Sequence, residues 1–348
     1  MVDGMSEGPA PRPGASATRS LATCPFCGGR LVRAYDGLAD RLQTTARTFA
    51  IDECTRCQAG VLNPAPIGDV SAFYPTNYLS GERGEGSAPG GGGGEAGAAG
   101  TGGGLSLEKW YRYNQYRFDF RLLERASGLS IGQTPSYVDL GCGSGERMAY
   151  AGERGCARAM GVDKFDFAKS TVRGEAEIVN SDILEFAPAA RFAAVSLFHV
   201  LEHLDDPASV LAHIRDEIIA PDGHLIIQVP NYGSVERRLF GGRWFGLDVP
   251  RHYWHFNQTA LCRLLDAHGY RAVAAYRRNA ALHPVSIAPS ISPDVDVQRI
   301  WVRHAKGVAY RRRMMLLWSG LTLLTIPQSV GQSAFGQGSM LTVVAARA

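Results

Sequence analysis

Apolar runs bounded by turn residues alternate with stretches of helical spacing through the second half of the chain. Residues 137–140, 159–163, 178–182, 192–199 and 224–230 each read as a strand. Between the fourth and fifth, Asp206 caps and Pro207 opens a helix. Its apolar stripe is Val210, Leu211, Ile214 and Ile218, and Pro221-Asp222-Gly223 ends it. A helix over 259–268, closed by Gly269, leads to a sixth strand at 271–277, and residues 339–347 read as a seventh. Such alternation predicts an α/β fold with a largely parallel sheet covered on both faces.

The first half is patterned differently. Residues 1–20 are rich in Gly, Pro, Ala and Ser and read as a disordered tail. Residues 21–63 form a small module with strand-like stretches at 30–34 and 47–52, and 64–104 a connector. Within the connector, residues 81–104 hold 13 glycines in 24 positions, the composition of a flexible coil. The main domain then runs over 105–348, opening with a helix at 105–126. That helix gathers Leu107, Trp110, Tyr111, Asn114, Phe118, Leu122 and Leu123 on one face and keeps Asp119 mostly off it. An insertion at 280–338 carries three arginines, Arg311 to Arg313, followed by a 13-residue apolar run at 314–326. As a helix this run is too short to cross a bilayer. It is expected to form an amphipathic surface helix over 311–326 that meets a membrane face, a second subunit in a homodimer, or the protein's own core.

Four of the seven cysteines fall into two pairs, Cys24/Cys27 and Cys54/Cys57, with 26 residues between the pairs. No stretch near the N-terminus has the apolar core of an export signal, so a cytoplasmic location is expected, peripheral to the inner face of the membrane if the 311–326 segment binds there. In that setting paired C-x-x-C spacing favours one tetrahedral Zn²⁺ over disulfides. The module is therefore expected to be a zinc ribbon, with Gln58 where a glycine commonly follows the second pair. A net charge of +3 is too slight to mark a nucleic-acid binder. Arg30, Arg33, Arg41, Arg47 and Arg56 on the module keep an RNA or protein substrate in view as an alternative.

The chemistry concentrates where the first strand ends. Val138-Asp-Leu-Gly-Cys-Gly-Ser-Gly145 joins a strand to a helix through three glycines, a backbone that lets a ligand approach main-chain N–H groups. Asp163 and Asp182 close the second and third strands. With the segment Phe198-His-Val-Leu-Glu-His-Leu-Asp-Asp-Pro207, this ordered set resembles the class I S-adenosylmethionine-dependent methyltransferases. The resemblance implies a Rossmann-like seven-stranded sheet whose last strand lies antiparallel between the fifth and sixth. It also implies a cofactor site in which Asp139, Gly141, Gly143 and Gly145 cradle the amino-acid part and Asp163 holds the ribose. Asp182 and Ile183 would meet the adenine, and His199 would stand at the opening of the crevice.

Residues 61–66 and 73–78, and the loop 247–256, further resemble parts of zinc-containing sugar methyltransferases. On that likeness the acceptor is a sugar-like or other small molecule, lipid-linked if the membrane reading holds. His252 and His255 are the candidate catalytic residues, His252 as proton acceptor. Relatives commonly carry an acid where this chain has Arg251, which leaves O-methylation open. Glu202 and His203 are read as supporting residues. A non-catalytic scaffold that merely keeps the cofactor fold is the remaining alternative, and the intact glycine motif with Asp163 argues against it.

Overall fold

The computed structural model describes residues 17–68, 70–74, 107–165, 177–278, 286–296, 299–300 and 307–348. The tail before residue 17, the glycine-rich stretch 81–104 and residues 280–285 and 301–306 of the insertion lie outside them, as do the side chains of Leu107, Trp110 and Tyr111.

The strands are β1 Ala17–Arg19, β2 Leu31–Ala39, β3 Thr48–Cys54, β4 Gly60–Leu62, β5 Ala65–Ile67, β6 Tyr137–Leu140, β7 Ala159–Asp163, β8 Glu177–Asn180, β9 Phe192–Phe198, β10 Ile219–Pro230, β11 Trp254–His255, β12 Tyr270–Arg278 and β13 Met340–Arg347. The helices that matter below are α1 Leu107–Ser127, α2 Glu146–Glu153, α3 Pro207–His213, α4 Val235–Phe240, α5 Gln258–Ala267, α6 Ile287–Ile291, α7 Gly307–Leu324 and α8 Ile326–Ala334.

Seven strands form one sheet in the order β12-β13-β10-β9-β6-β7-β8. The pairs β10–β9, β9–β6, β6–β7 and β7–β8 are parallel, and β13 runs antiparallel between β10 and β12, the expected arrangement. Period-two alternation sends side chains to two cores. Val138, Leu140, Val195, Leu197, Leu225 and Ile227 meet the α3 stripe and Leu261, Leu264 and Leu265 of α5. Tyr137, Phe198, Ile226 and Val344 meet Phe120 and Leu123 of α1 and Met148 and Tyr150 of α2.

Asp206 caps α3 as expected, accepting from the N–H groups of Ala208 and Ser209, both at 3.1 Å. The helix is shorter than the pattern implied. It passes through one π turn at Ile214–Ile218 straight into β10, which starts at Ile219 rather than at 224. Ile218 and Ile219 continue the apolar run, and Pro221-Asp222-Gly223 becomes the irregularity where pairing with β9 shifts instead of a helix stop.

The N-terminal module is not an appendage. β2, β3 and β4 form a sheet whose fourth strand is β11, taken from the loop beyond β10, with Trp254 opposite Val61 and His255 opposite Gly60. Phe26 of the module packs on Trp254 and Phe256 at ring separations of 5.6 and 5.1 Å. Residues 17–19, placed in the tail by composition, pair as β1 with β5. Arg19 reaches the face of Trp254 and pairs with Asp205, which supplies the tertiary contacts that composition could not reveal.

Candidate functional site

The chain reverses direction across the sheet between β6 and β9. β7 and β8 extend one way and β9 and β10 the other, so the crevice beyond the carboxyl ends of β6 and β9 is the natural ligand position. The 141–145 turn lies at its floor. Gly141 has φ +74° and its hydrogen points at Val200, where a Cβ would stand 2.4 Å from Cγ2, so neither the conformation nor the space admits a side chain. Gly143, at φ +53°, faces open space. Gly145 leads into α2, whose first turn carries Glu146.

Asp163 ends β7 beside this turn and is buried. Its Oδ2 accepts from Gly143 N and its Oδ1 from Phe165 N, each at 2.9 Å. Burial raises its pKa, and the two N–H groups oppose that rise. Both oxygens keep a second lone pair, the acceptor geometry a ribose diol requires. Beneath the turn, Gly161 lets Met148 and Cys142 close in, since a Cβ would meet their sulfurs at 2.5 and 2.6 Å.

Asp139 is placed differently from the expectation that it cradles a ligand. It is buried inside the sheet, where Ser196 Oγ donates to it at 2.5 Å and Tyr137 bonds Ser196 at 2.8 Å. Burial pushes its carboxyl up to about 6. Asp182 is exposed and shapes the turn after β8, accepting from Leu184 N at 3.0 Å, while Ile183 is buried in the core. His199 sits at the end of β9 in a left-handed conformation, φ +57°, with a half-exposed ring. A non-glycine residue in that region is strained, as residues at functional positions often are.

The loop 244–257 packs against the turn that follows β9, with Tyr253 N donating to Glu202 O at 2.8 Å. His252 and His255 are both buried. His252 Nδ1 donates to Gly246 O at 3.0 Å and His255 Nε2 to Leu247 O at 3.0 Å. Burial lowers their pKa values to about 3 and about 4. Two imidazoles bonded to backbone carbonyls hold the loop, and burial disfavours the protonated form that His252 would have to reach as a proton acceptor.

Arg251, the departure from the pattern of relatives, is the hub of a buried ion network. It donates to Asp40 at 2.8 Å, Asp248 at 2.6 Å and the Phe73 carbonyl at 2.9 Å. Arg41 joins through Asp248 at 3.2 Å and through Asp296. Burial alone would raise Asp248, but Arg251 and Arg41 hold it well below the usual carboxylate range. Two of the five module arginines invoked for a macromolecular substrate are thereby engaged, Arg41 in this network and Arg33 with Asp52 at 2.6 Å.

Asp119, which the helical pattern puts off the buried face of α1, also belongs to the interior. It is buried, accepts from Gln228 at 3.1 Å and lies 3.5 Å from Arg147. An acid, a glutamine and an arginine on three separate elements leave no local pattern.

In the module, the four cysteine sulfurs lie within 4.8 Å of one another, with Cys24 to Cys57 at 3.6 Å and Cys27 to Cys54 at 3.4 Å. Each knuckle ends in a left-handed residue, Gly28 at φ +68° and Gln58 at φ +58°. The missing glycine is thus a residue under strain, with the knuckle geometry kept.

Residues 110–275 match the model of a methyltransferase domain. No curated protein sequence matches the chain. Among solved structures, the chain is similar to the 1,6-didemethyltoxoflavin-N1-methyltransferase of Burkholderia thailandensis, bound to S-adenosylhomocysteine (19% identity, 68% of this chain and 80% of that one, TM-score 0.40). It is also similar to an S-adenosylmethionine-dependent methyltransferase of Archaeoglobus fulgidus (17% identity, 69% and 97% covered, TM-score 0.42). A third is an S-adenosylmethionine-dependent methyltransferase of Mesorhizobium loti (15% identity, 66% and 98% covered, TM-score 0.40). The domain match covers the glycine turn and the strands from β6 into β12, and this part of the chain is a methyltransferase domain.

Proposed function

We propose that the chain transfers the methyl group of S-adenosylmethionine to a small, sugar-like acceptor entering between the glycine turn and the 244–257 loop. Asp163 carries the reading. It is a carboxylate at a strand end, beside a turn with one open glycine, oriented by two backbone N–H groups and keeping a lone pair on each oxygen. Gly141, Gly143 and Gly145 would line the donor's amino-acid part, and Asp182 and Ile183 would flank the adenine. Asp139 would act from beneath, through Ser196. Methyl transfer from a sulfonium is an in-line displacement, so positioning supplies most of the catalysis. A labelled methyl group should pass from donor to a nucleotide-sugar or free glycoside. Donor binding without transfer to any member of such a panel would overturn the acceptor class.

The donor set of Cys24, Cys27, Cys54 and Cys57 fits one structural Zn²⁺, because four clustered thiols leave no open coordination position. Metal analysis should find about one equivalent retained, and the pair of changes Cys54→Ser and Cys57→Ser should release it.

Residues 311–324 of the segment lie in α7 and Ile326 opens α8; Leu316, Leu317, Leu323 and Leu324 stay exposed behind the three arginines. Among the described residues no single helix is long and apolar enough to cross a membrane; α7 and α8 reach that length and composition only as a pair bent by 43°. Exposed leucines beside cationic residues support an interfacial role that brings the enzyme to a membrane or a lipid-linked acceptor. Co-flotation with anionic vesicles at low salt tests it. A soluble dimer that does not float and that Trp318→Glu dissociates would assign the face to a second copy instead.

A further inference from the structure

We propose that Glu202, His203 and His252 bind one divalent first-row transition cation at a site separate from the four cysteines. Glu202 and His203 lie in the turn that follows β9, and His252 comes from the loop beyond β10. One ring nitrogen of each histidine and a carboxylate oxygen of Glu202 lie within 4.8 Å of one another.

Three contacts fix the two segments. Tyr253 N donates to Glu202 O at 2.8 Å, Trp254 Nε1 donates to Leu204 O at 2.7 Å, and the rings of His203 and His252 meet edge to face at 4.5 Å. The histidines are oriented as ligands are. His203 Nδ1 donates to Arg251 O and His252 Nδ1 to Gly246 O, both at 3.0 Å, which leaves the Nε2 lone pair of each ring for a metal.

Glu202 is the independent observation. It is 1% exposed, and neither carboxylate oxygen has a hydrogen-bond partner. His199 Nδ1 lies 3.3 Å from Oε1. Among the described residues no arginine or lysine pairs with it, whereas Asp40 and Asp248 in the adjoining network are both paired with arginine. A buried carboxylate normally has a counter-ion or hydrogen bonds, and a bound cation would supply the missing charge.

Two imidazoles and a carboxylate suit zinc, manganese, iron or cobalt rather than magnesium or calcium. Three protein ligands leave positions open. Resting on the proposed methyl transfer, an acceptor hydroxyl would take one of them. The ion would lower the hydroxyl's pKa so that its proton passes to solvent water. The oxygen would then bond to the methyl carbon as the carbon–sulfur bond breaks, its electron pair staying on sulfur. That would explain how the site works without His252 as a base.

The test uses the full chain with its cysteine cluster loaded with zinc. Mn²⁺, which disfavours thiolates, is titrated and free ion counted by electron paramagnetic resonance. About one equivalent should bind, with affinity falling at least tenfold in Glu202→Gln and in His252→Gln. Should those variants fail to fold by circular dichroism, Co²⁺ added to the zinc-loaded parent provides the readout. A further equivalent should give ligand-field absorption without a thiolate charge-transfer band. Binding of neither ion beyond the cysteine cluster, or unchanged Mn²⁺ affinity in both folded variants, overturns the site. S-adenosylhomocysteine binding is measured alongside by calorimetry. Its persistence without metal refutes only the cation, while its absence from the parent refutes the methyltransferase reading beneath it.

Discussion

The glycine turn and the 244–257 loop, the two walls of the proposed acceptor site, are built on opposite principles. The wall at β6 and β7 uses backbone: left-handed glycines, main-chain N–H groups, and a single carboxylate tied to them. The wall at the 244–257 loop uses buried ionic side chains from distant parts of the chain, with Arg251 reaching Asp40 across 211 positions. A backbone site can be specified by a few neighbouring residues and serves a ligand of fixed shape. A wall of paired charges depends on the whole fold being in place, and it binds the cysteine module to the main sheet.

The contrast is broken most severely by Arg251→Met. Removing the hub leaves Asp40 and Asp248 buried beside one remaining arginine, and about 3–5 kcal/mol of stability should be lost in denaturant titration. Arg33→Ala, which breaks the pair with the buried Asp52 from a half-exposed arginine, should cost only about 1 kcal/mol. Equal losses would mean that burial of the network contributes nothing.

On the backbone wall, Gly141→Ala combines a left-handed conformation with a Cβ too close to Val200. It should cost about 2–4 kcal/mol and weaken S-adenosylhomocysteine binding more than tenfold, as measured by calorimetry. Undiminished affinity would remove the turn from the cofactor site.

How far each wall was legible from sequence follows the same division. The strands, the Asp206 cap, the glycine turn and Asp163 were readable because each depends on residues within one turn or one βα unit. His252 and His255 were legible as a cluster, but their burial under the cysteine module was not, since nothing local signals that β11 pairs with β4. Arg251 looked like a departure from pattern and is a structural tie. Glu202 and His203 stood in a recognised segment, yet their convergence with His252 depends on that same non-local pairing.

Two smaller effects sharpen the comparison. His255 has its pKa lowered to about 4 by burial, from an unfolded value near 6.5. The unfolded chain therefore binds the extra proton first as pH falls, and stability present at pH 7 is lost between about pH 6.5 and 4. In His255→Gln the loss between pH 7 and 5 should be smaller by about 2 kcal/mol. An unchanged pH slope would place the acid sensitivity elsewhere. Gln58→Gly relieves a left-handed residue at the second knuckle and should stabilise the protein by about 0.5–1 kcal/mol in thermal unfolding. A lower midpoint would mean that the Gln58 side chain contributes more than its conformation costs.

The most direct test of the cofactor assignment is calorimetric titration of S-adenosylhomocysteine into the parent and into Asp163→Asn. With the ribose held by Asp163, the variant should bind at least tenfold more weakly while keeping the parent's unfolding midpoint within a few degrees. Equal affinity in the two proteins would contradict the claim that the backbone wall and its single carboxylate hold the methyl donor.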